Sequence, residues 1–160
     1  MTSKFTFFWG SDSPFSNWYM CPFVHAGIQY NCSEQYMMYQ KARLFKDFDV
    51  AEMIMDQSHP RKQKFLGRQV RSFDEHIWME ECQGIMFSGL KSKFVQDTYC
   101  LNTILDSGDT ILVEASPYDK IWGIGMTEDD PRAHDPSKWQ GQNLLGNVLM
   151  KVRDEIRRGV

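Results

Sequence analysis

Between Asp74 and Val95 the chain reads DEHIWMEECQGIMFSGLKSKFV, with no proline and with Trp78, Cys82, Ile85 and Leu90 near a shared face. That spacing predicts one long helix carrying an apolar stripe. Such a stripe has to be covered by other elements, so it organises what surrounds it. Ahead of it, EQYMMYQKARLF, following Ser33, carries good helix formers and no breaker, and residues 49–57 and 60–70 read as two shorter helices. After it, Thr103 to Leu105 ends another turn of helix before SGD, and NLLGNVLMKVRDEIRR closes the chain as an amphipathic helix. FTFFW (5–9) and ILVEA (111–115) read as strands, and YMCPFVHAGIQYN as two short strands joined at His25–Gly27. GSDSPFSN and TEDDPRAHDPSKW are turn-rich and polar. The strands lie among long helical stretches without a regular βαβ rhythm. The expected fold class is therefore α+β: a single, mainly helical domain over residues 1–160 with a few short strands.

A chain of 160 residues can bury roughly 70% of its unfolded surface in one core. Its net charge of -3 argues against a general attraction to nucleic acid or anionic membranes. The longest apolar runs are too short for a membrane span or a signal segment, so a cytoplasmic location is expected. Cys21, Cys32, Cys82 and Cys100 form no CxxC pair and have no histidines at zinc-binding intervals, so free, partly buried thiols are expected. The histidines form no HExxH or HxH pair; no metal and no cofactor are expected. Aromatic residues make up 14%, which suits a core and equally a pocket that stacks a flat ring.

Several residues have both a structural and a chemical reading. On a helix starting near Cys32, Glu34 and Lys41 lie two turns apart on one side, where a carboxylate and an amine can share a pocket wall. Equally, with Asn31 as N-cap, Glu34 is the acid of a capping box, and Lys41 snorkels to solvent. In SPYD, Pro117 presets a turn; Asp119 is then a turn residue or a carboxylate presented into a cleft. Trp122, Gly123 and Gly125 follow, the glycines allowing close backbone approach, without the third glycine or the helix of a dinucleotide fingerprint. Trp78 is a core residue or a stacking platform. RKQKFLGRQVR (61–71), which includes Arg68, holds five basic residues and no acid: a solvated face or a phosphate site. Phe15, Ser16 and Asn17 in PFSN, and Asn143 in GQNLLGN, lie in turn-like segments.

Taken as an ordered set, PFSNWY (14–19), SEQYMMYQKARLF (33–45), LGRQV (66–70), Trp78, KF (93–94), LVEASPYDKIWGIGM (112–126) and WQGQNLLGNVLMKVR (139–153) resemble the NADAR, or YbiA-like, family over nearly the whole chain. The resemblance implies a NADAR fold and an N-glycoside hydrolase. Members are associated with splitting ribosylated aminopyrimidine intermediates of riboflavin synthesis, and others with removing ADP-ribose from guanine in nucleic acid. In both, ribose C1 is joined to an exocyclic amine. The family's catalytic positions fall on Glu34, Lys41, Trp78 and Asp119; the ligand cleft would be lined by Phe15, Ser16, Asn17, Arg68, Trp122, Gly123, Gly125 and Asn143. Gln35 stands where the family varies, a neutral difference. The implied partner is a small ribosylamine or an ADP-ribosylated base, with no membrane and no obligate protein partner.

Breaking a ribosylamine bond builds positive charge on the sugar. Asp119 is expected to stabilise that charge or activate water, Glu34 to move a proton, with the two roles exchangeable. A second route has Lys41 displace the amine as a Schiff base. A competing reading is a non-catalytic module that senses ADP-ribose or a related nucleotide, which needs no acid pair.

Overall fold

The stretch after Asp74 folds as one helix, Glu75–Gln96, with Asp74 outside it as the N-cap, accepting the Ile77 N–H at 3.1 Å. This is a computed structural model, and it describes residues 3–159. In chain order the elements are β1 (Phe5–Phe8), β2 (Phe23–His25), β3 (Ile28–Tyr30), α1 (Ser33–Leu44), α2 (Phe48–Met55), α3 (Pro60–Gly67), α4 (Glu75–Gln96), α5 (Thr98–Asp106), β4 (Ile111–Glu114) and α6 (Leu144–Arg157). The architecture is α+β, mainly helical.

Along α4 the residues that reach the core are Trp78, Cys82, Met86, Leu90 and Phe94, a four-residue rhythm that keeps one face inward. Ile85 sits beside that stripe, partly buried. The other helices add Tyr36, Met37 and Met38 of α1, Val50 and Ile54 of α2, Cys100 and Ile104 of α5 and Leu145, Val148, Leu149 and Val152 of α6 to one continuous apolar cluster. Gly89 lets α1 close on α4, because a Cβ there would run into the Tyr36 ring. The Tyr36 hydroxyl donates to the Ile85 carbonyl at 2.8 Å, so the contact is also oriented.

The strands form two separate pairs. β1 and β4 run parallel, Phe5 opposite Ile111 through Phe8 opposite Glu114. Their side chains alternate: Leu112 enters the main cluster, while Phe5 and Val113 enter a smaller one with Ile124, Met126 and Ala133. β2 and β3 form the expected hairpin, turned by Ala26 (φ 50) and Gly27 (φ 81), the positive-φ pair of a mirror-image turn.

Three local expectations are revised. α5 begins at Thr98, well before 103, because Asp97 caps it by accepting the Cys100 N–H at 2.9 Å. The polar stretch TEDDPRAHDPSKW contains two short 3-10 turns, Pro131–His134 and Pro136–Lys138, each begun by an Asp-Pro in which the aspartate accepts an N–H two residues on. The four cysteines are free, and fully rather than partly buried. No helix among the described residues is long and apolar enough to cross a membrane.

Candidate active site

A cavity of about 830 Å³ opens between the 9–18 loop, α1, α3, the first turn of α4 and the segment that leaves β4. Glu34, Lys41, Trp78, Asp119, Ser16, Asn17, Arg68 and Trp122 all line it. Residues from five separate parts of the chain are thus brought to one wall-lined space.

Glu34 reaches it because α1 starts one residue later than the capping-box reading requires. The N-cap is Cys32, with no side-chain cap, which places Glu34 at the second helical position. Asn31 is engaged elsewhere: its Nδ2 donates to the Ser58 carbonyl and its Oδ1 accepts from Gln63 Nε2. The reach-back to the Asn31 N–H comes instead from Gln35 Oε1, at 2.8 Å. Gln35 Nε2 also donates to carbonyls at the end of α2, so this residue ties α1 to α2. Relieved of capping, the Glu34 carboxyl is 3% exposed and faces the cavity. Burial pushes it up to about 7; Lys64 opposes the rise, the Asp119 charge adds to it, and Lys41 and Arg68 pull it back.

Asp119 is held by the turn that leaves β4. Ser116 Oγ accepts the N–H groups of Tyr118 and Asp119, and Asp119 Oδ1 in turn accepts those of Ile121 and Trp122 at 2.9 and 2.8 Å. One carboxylate oxygen therefore orients the loop, while the other accepts no hydrogen bond among the described residues. The Ser-Pro turn and the presented carboxylate are the same structure.

Gly123, Gly125, Asn143 and Phe15, expected in the ligand cleft, are not among the residues that line this cavity. The glycines serve chain against chain: a Cβ on Gly123 would meet the Asp119 and Glu114 carbonyls at 2.9 Å, and Gly125 (φ +75) packs on Gln140. The carbonyls of Gly123 and Ile124 accept from Asn143 and Gln140, zipping WGIG to GQN. Asn143, fully buried at φ 53, joins α6 to β4 by accepting the Glu114 N–H at 3.0 Å and donating to the Leu112 carbonyl at 2.9 Å. Phe15 packs in the core against Phe8 and Phe94. Its neighbours Ser16 and Asn17 do reach the cavity because Lys93, fully buried, donates to the Pro14 and Ser16 carbonyls at 2.8 and 3.2 Å.

The basic run divides by role. Arg71 is consumed by Asp47, the N-cap of α2, through its backbone N–H and guanidinium. Lys62 is exposed away from the cavity, whereas Lys64, half-buried, and Arg61 and Arg68, exposed, line it. With Lys41 they make one wall cationic. Burial lowers the Lys41 ammonium, Glu34 works against that, and Arg68 adds to it; its Nζ lies 4.5 Å from the centre of the Phe73 ring. Trp78 is 7% exposed in the main cluster and also lines the cavity. At the mouth stand Trp9 and Tyr118, 52% and 84% exposed with rings 6.0 Å apart, neither singled out from sequence.

Sequence reading also passed over Glu114. It lines the cavity, with its Oε2 buried and without a hydrogen-bond partner among the described residues. Burial, followed by the charges of Asp119 and Glu34, pushes its carboxyl up to about 8, against the pull of Lys64. The signal was available: Leu112 and Glu114 share one face of β4, so an acid occupies a core-facing strand position.

Away from the cavity, Cys21, Asp97 and Cys100 place three potential ligand atoms within 4.8 Å of one another. Burial raises both thiols, Cys100 to about 12, and the buried Lys93 amine faces the same cysteines, a poor setting for a cation.

The NADAR domain family model matches residues 7–157. N-glycosidase R617 of Acanthamoeba polyphaga mimivirus is 40% identical over 165 residues, 96% of this chain and 97% of that protein. Protein irg-1 of Caenorhabditis elegans is 36% identical over 171 residues, 97% of this chain and 81% of that protein. Among solved structures, the NMR structure of the E. coli protein YbiA superposes with a TM-score of 0.80 at 26% identity, over 99% of this chain and 88% of that one.

Proposed function

The chain belongs to the NADAR family, and on that premise we propose that it is an N-glycoside hydrolase. Its substrate is a phosphorylated ribose whose C1 is joined to an exocyclic amine of a pyrimidinone-type base. The observation that carries the reading is the joint placement of Glu34, Asp119, Trp78 and a cationic wall on one cavity. As the C1–N bond stretches, positive charge grows on the sugar, and Asp119 offers a carboxylate oxygen that the loop leaves unengaged. Glu34, poised near 7, takes a proton from the attacking water. Trp78 stacks on the flat base, worth on the order of 1–3 kcal/mol. Arg61, Lys64 and Arg68 hold the phosphate.

ADP-ribosylated guanine in nucleic acid and ribosylaminopyrimidine phosphates both have this chemistry. Incubating the protein with each and following released base by mass spectrometry tests the proposal and chooses between them. Binding of either without release would favour the nucleotide-sensing module, for which a carboxyl sealed without a protein partner has no purpose. Lys41 supports a second route, because it lines the cavity and burial favours its neutral amine. Direct hydrolysis predicts no sugar on Lys41 when borohydride is added during turnover, and a reduced adduct there would replace it with the Schiff-base route.

A further inference from the structure

Glu34 and Asp119 account for the water and for the charge on the sugar, but the departing amine also needs a proton. An exocyclic amine leaves poorly as an anion, and the cavity holds a third carboxyl to supply that proton. Glu114 is the last residue of β4, and its main chain is fixed on both sides. Its N–H donates to Asn143 Oδ1 at 3.0 Å, and its carbonyl accepts the Ile124 N–H at 3.0 Å. The side chain follows Leu112 to the inner face of the strand, where it meets the cavity. There Oε2 is buried without a hydrogen-bond partner among the described residues. The fold gains nothing from such an atom: a buried polar group without a partner costs stability.

We propose that Glu114 is the general acid of this site, a carboxylic acid mounted on the strand end that protonates the leaving amine. The inference rests on the N-glycosidase reading above. As the C1–N bond breaks, its electron pair goes to nitrogen, which takes the Glu114 proton and departs as a neutral amine. C1 becomes an oxocarbenium ion opposite Asp119. Water adds its oxygen to C1 and gives a proton to Glu34, and transfer of that proton within the cavity restores Glu114 for the next cycle. Burial and the neighbouring charges of Asp119 and Glu34 keep the acid protonated up to about pH 8, as this role requires.

The test is the Glu114→Gln variant, which keeps the shape and removes the proton. Its melting temperature is expected to stay level or rise, its kcat to fall at least about 100-fold with KM within about 3-fold, and the alkaline limb of the pH–rate profile to disappear. Activity within about 10-fold of wild type, or an unchanged alkaline limb, overturns the proposal. A second measurement covers a variant that fails to fold. In wild-type protein with 13C-carboxyl glutamate, one resonance should titrate near pH 8, and an assignment placing Glu114 in the ordinary carboxylate range is equally fatal. If the wild type releases no base from any substrate, the N-glycosidase reading falls, whereas an active wild type with an equally active Glu114→Gln removes only this inference.

Discussion

Glu34 is a carboxyl group held where water barely reaches it, 3% exposed, and its charge is correspondingly costly. Its folded value of about 7 lies above the ordinary 4.5, so the folded chain binds this proton more tightly than the unfolded chain does. The stability this group contributes is full below 4.5 and is lost as pH rises from there through about 7. The loss is on the order of 3 kcal/mol, at 1.36 kcal/mol per unit. Wild-type protein should therefore melt at progressively lower temperature between about pH 5 and pH 8, and Glu34→Gln should reduce that slope to the part Glu114 contributes. At pH 8 the variant should be the more stable by roughly 2–3 kcal/mol while losing turnover. A Glu34→Gln protein that is less stable than wild type at pH 8 would show that the carboxylate has a structural partner.

At the scale of elements, the helices were legible where one period decides the answer. Trp78, Cys82, Met86, Leu90 and Phe94 bury one face of α4, and no tertiary contact competes with that rhythm. The caps and close approaches were less legible, because their partners are distant in sequence. Asn31 looks like an N-cap until Ser58 and Gln63 claim its side chain. Gly123 and Gly125 look the same from sequence whether a ligand or another stretch of chain approaches them; here it is the chain. Asn143 is the clearest case, a left-handed residue bridging β4 and α6 with both side-chain atoms. Asn143→Ala should cost about 2–4 kcal/mol, from two lost buried hydrogen bonds and a strained backbone without the local help asparagine gives. The shift in urea midpoint at constant slope measures it, and a change below about 1 kcal/mol would mean the β4–α6 junction does not depend on this residue.

For the molecule as a whole, net charge misled by averaging. The total is -3, yet Lys41, Arg61, Lys64 and Arg68 are gathered on one cavity. Composition cannot show this, since the wall forms only when α3 packs beside α1. A phosphate held by that wall makes KM, but not kcat, rise with ionic strength. Arg68→Ala should raise KM roughly 3- to 10-fold and flatten the salt dependence, as expected for losing one charge-assisted contact of about 1 kcal/mol. A KM indifferent to salt in wild type would remove the phosphate from that wall. The five segments of the cavity were each recognisable in the sequence; their convergence, and the third carboxyl among them, came from the fold. Hydrolysis at ribose C1 is tested most directly by turnover in 18O-labelled water with ADP-ribosylated guanine oligonucleotides and with ribosylaminopyrimidine phosphates. The expected result is free base together with a sugar carrying a single 18O at C1, from wild type and not from Glu34→Gln. Substrate that binds the cavity and is recovered intact from both would contradict it.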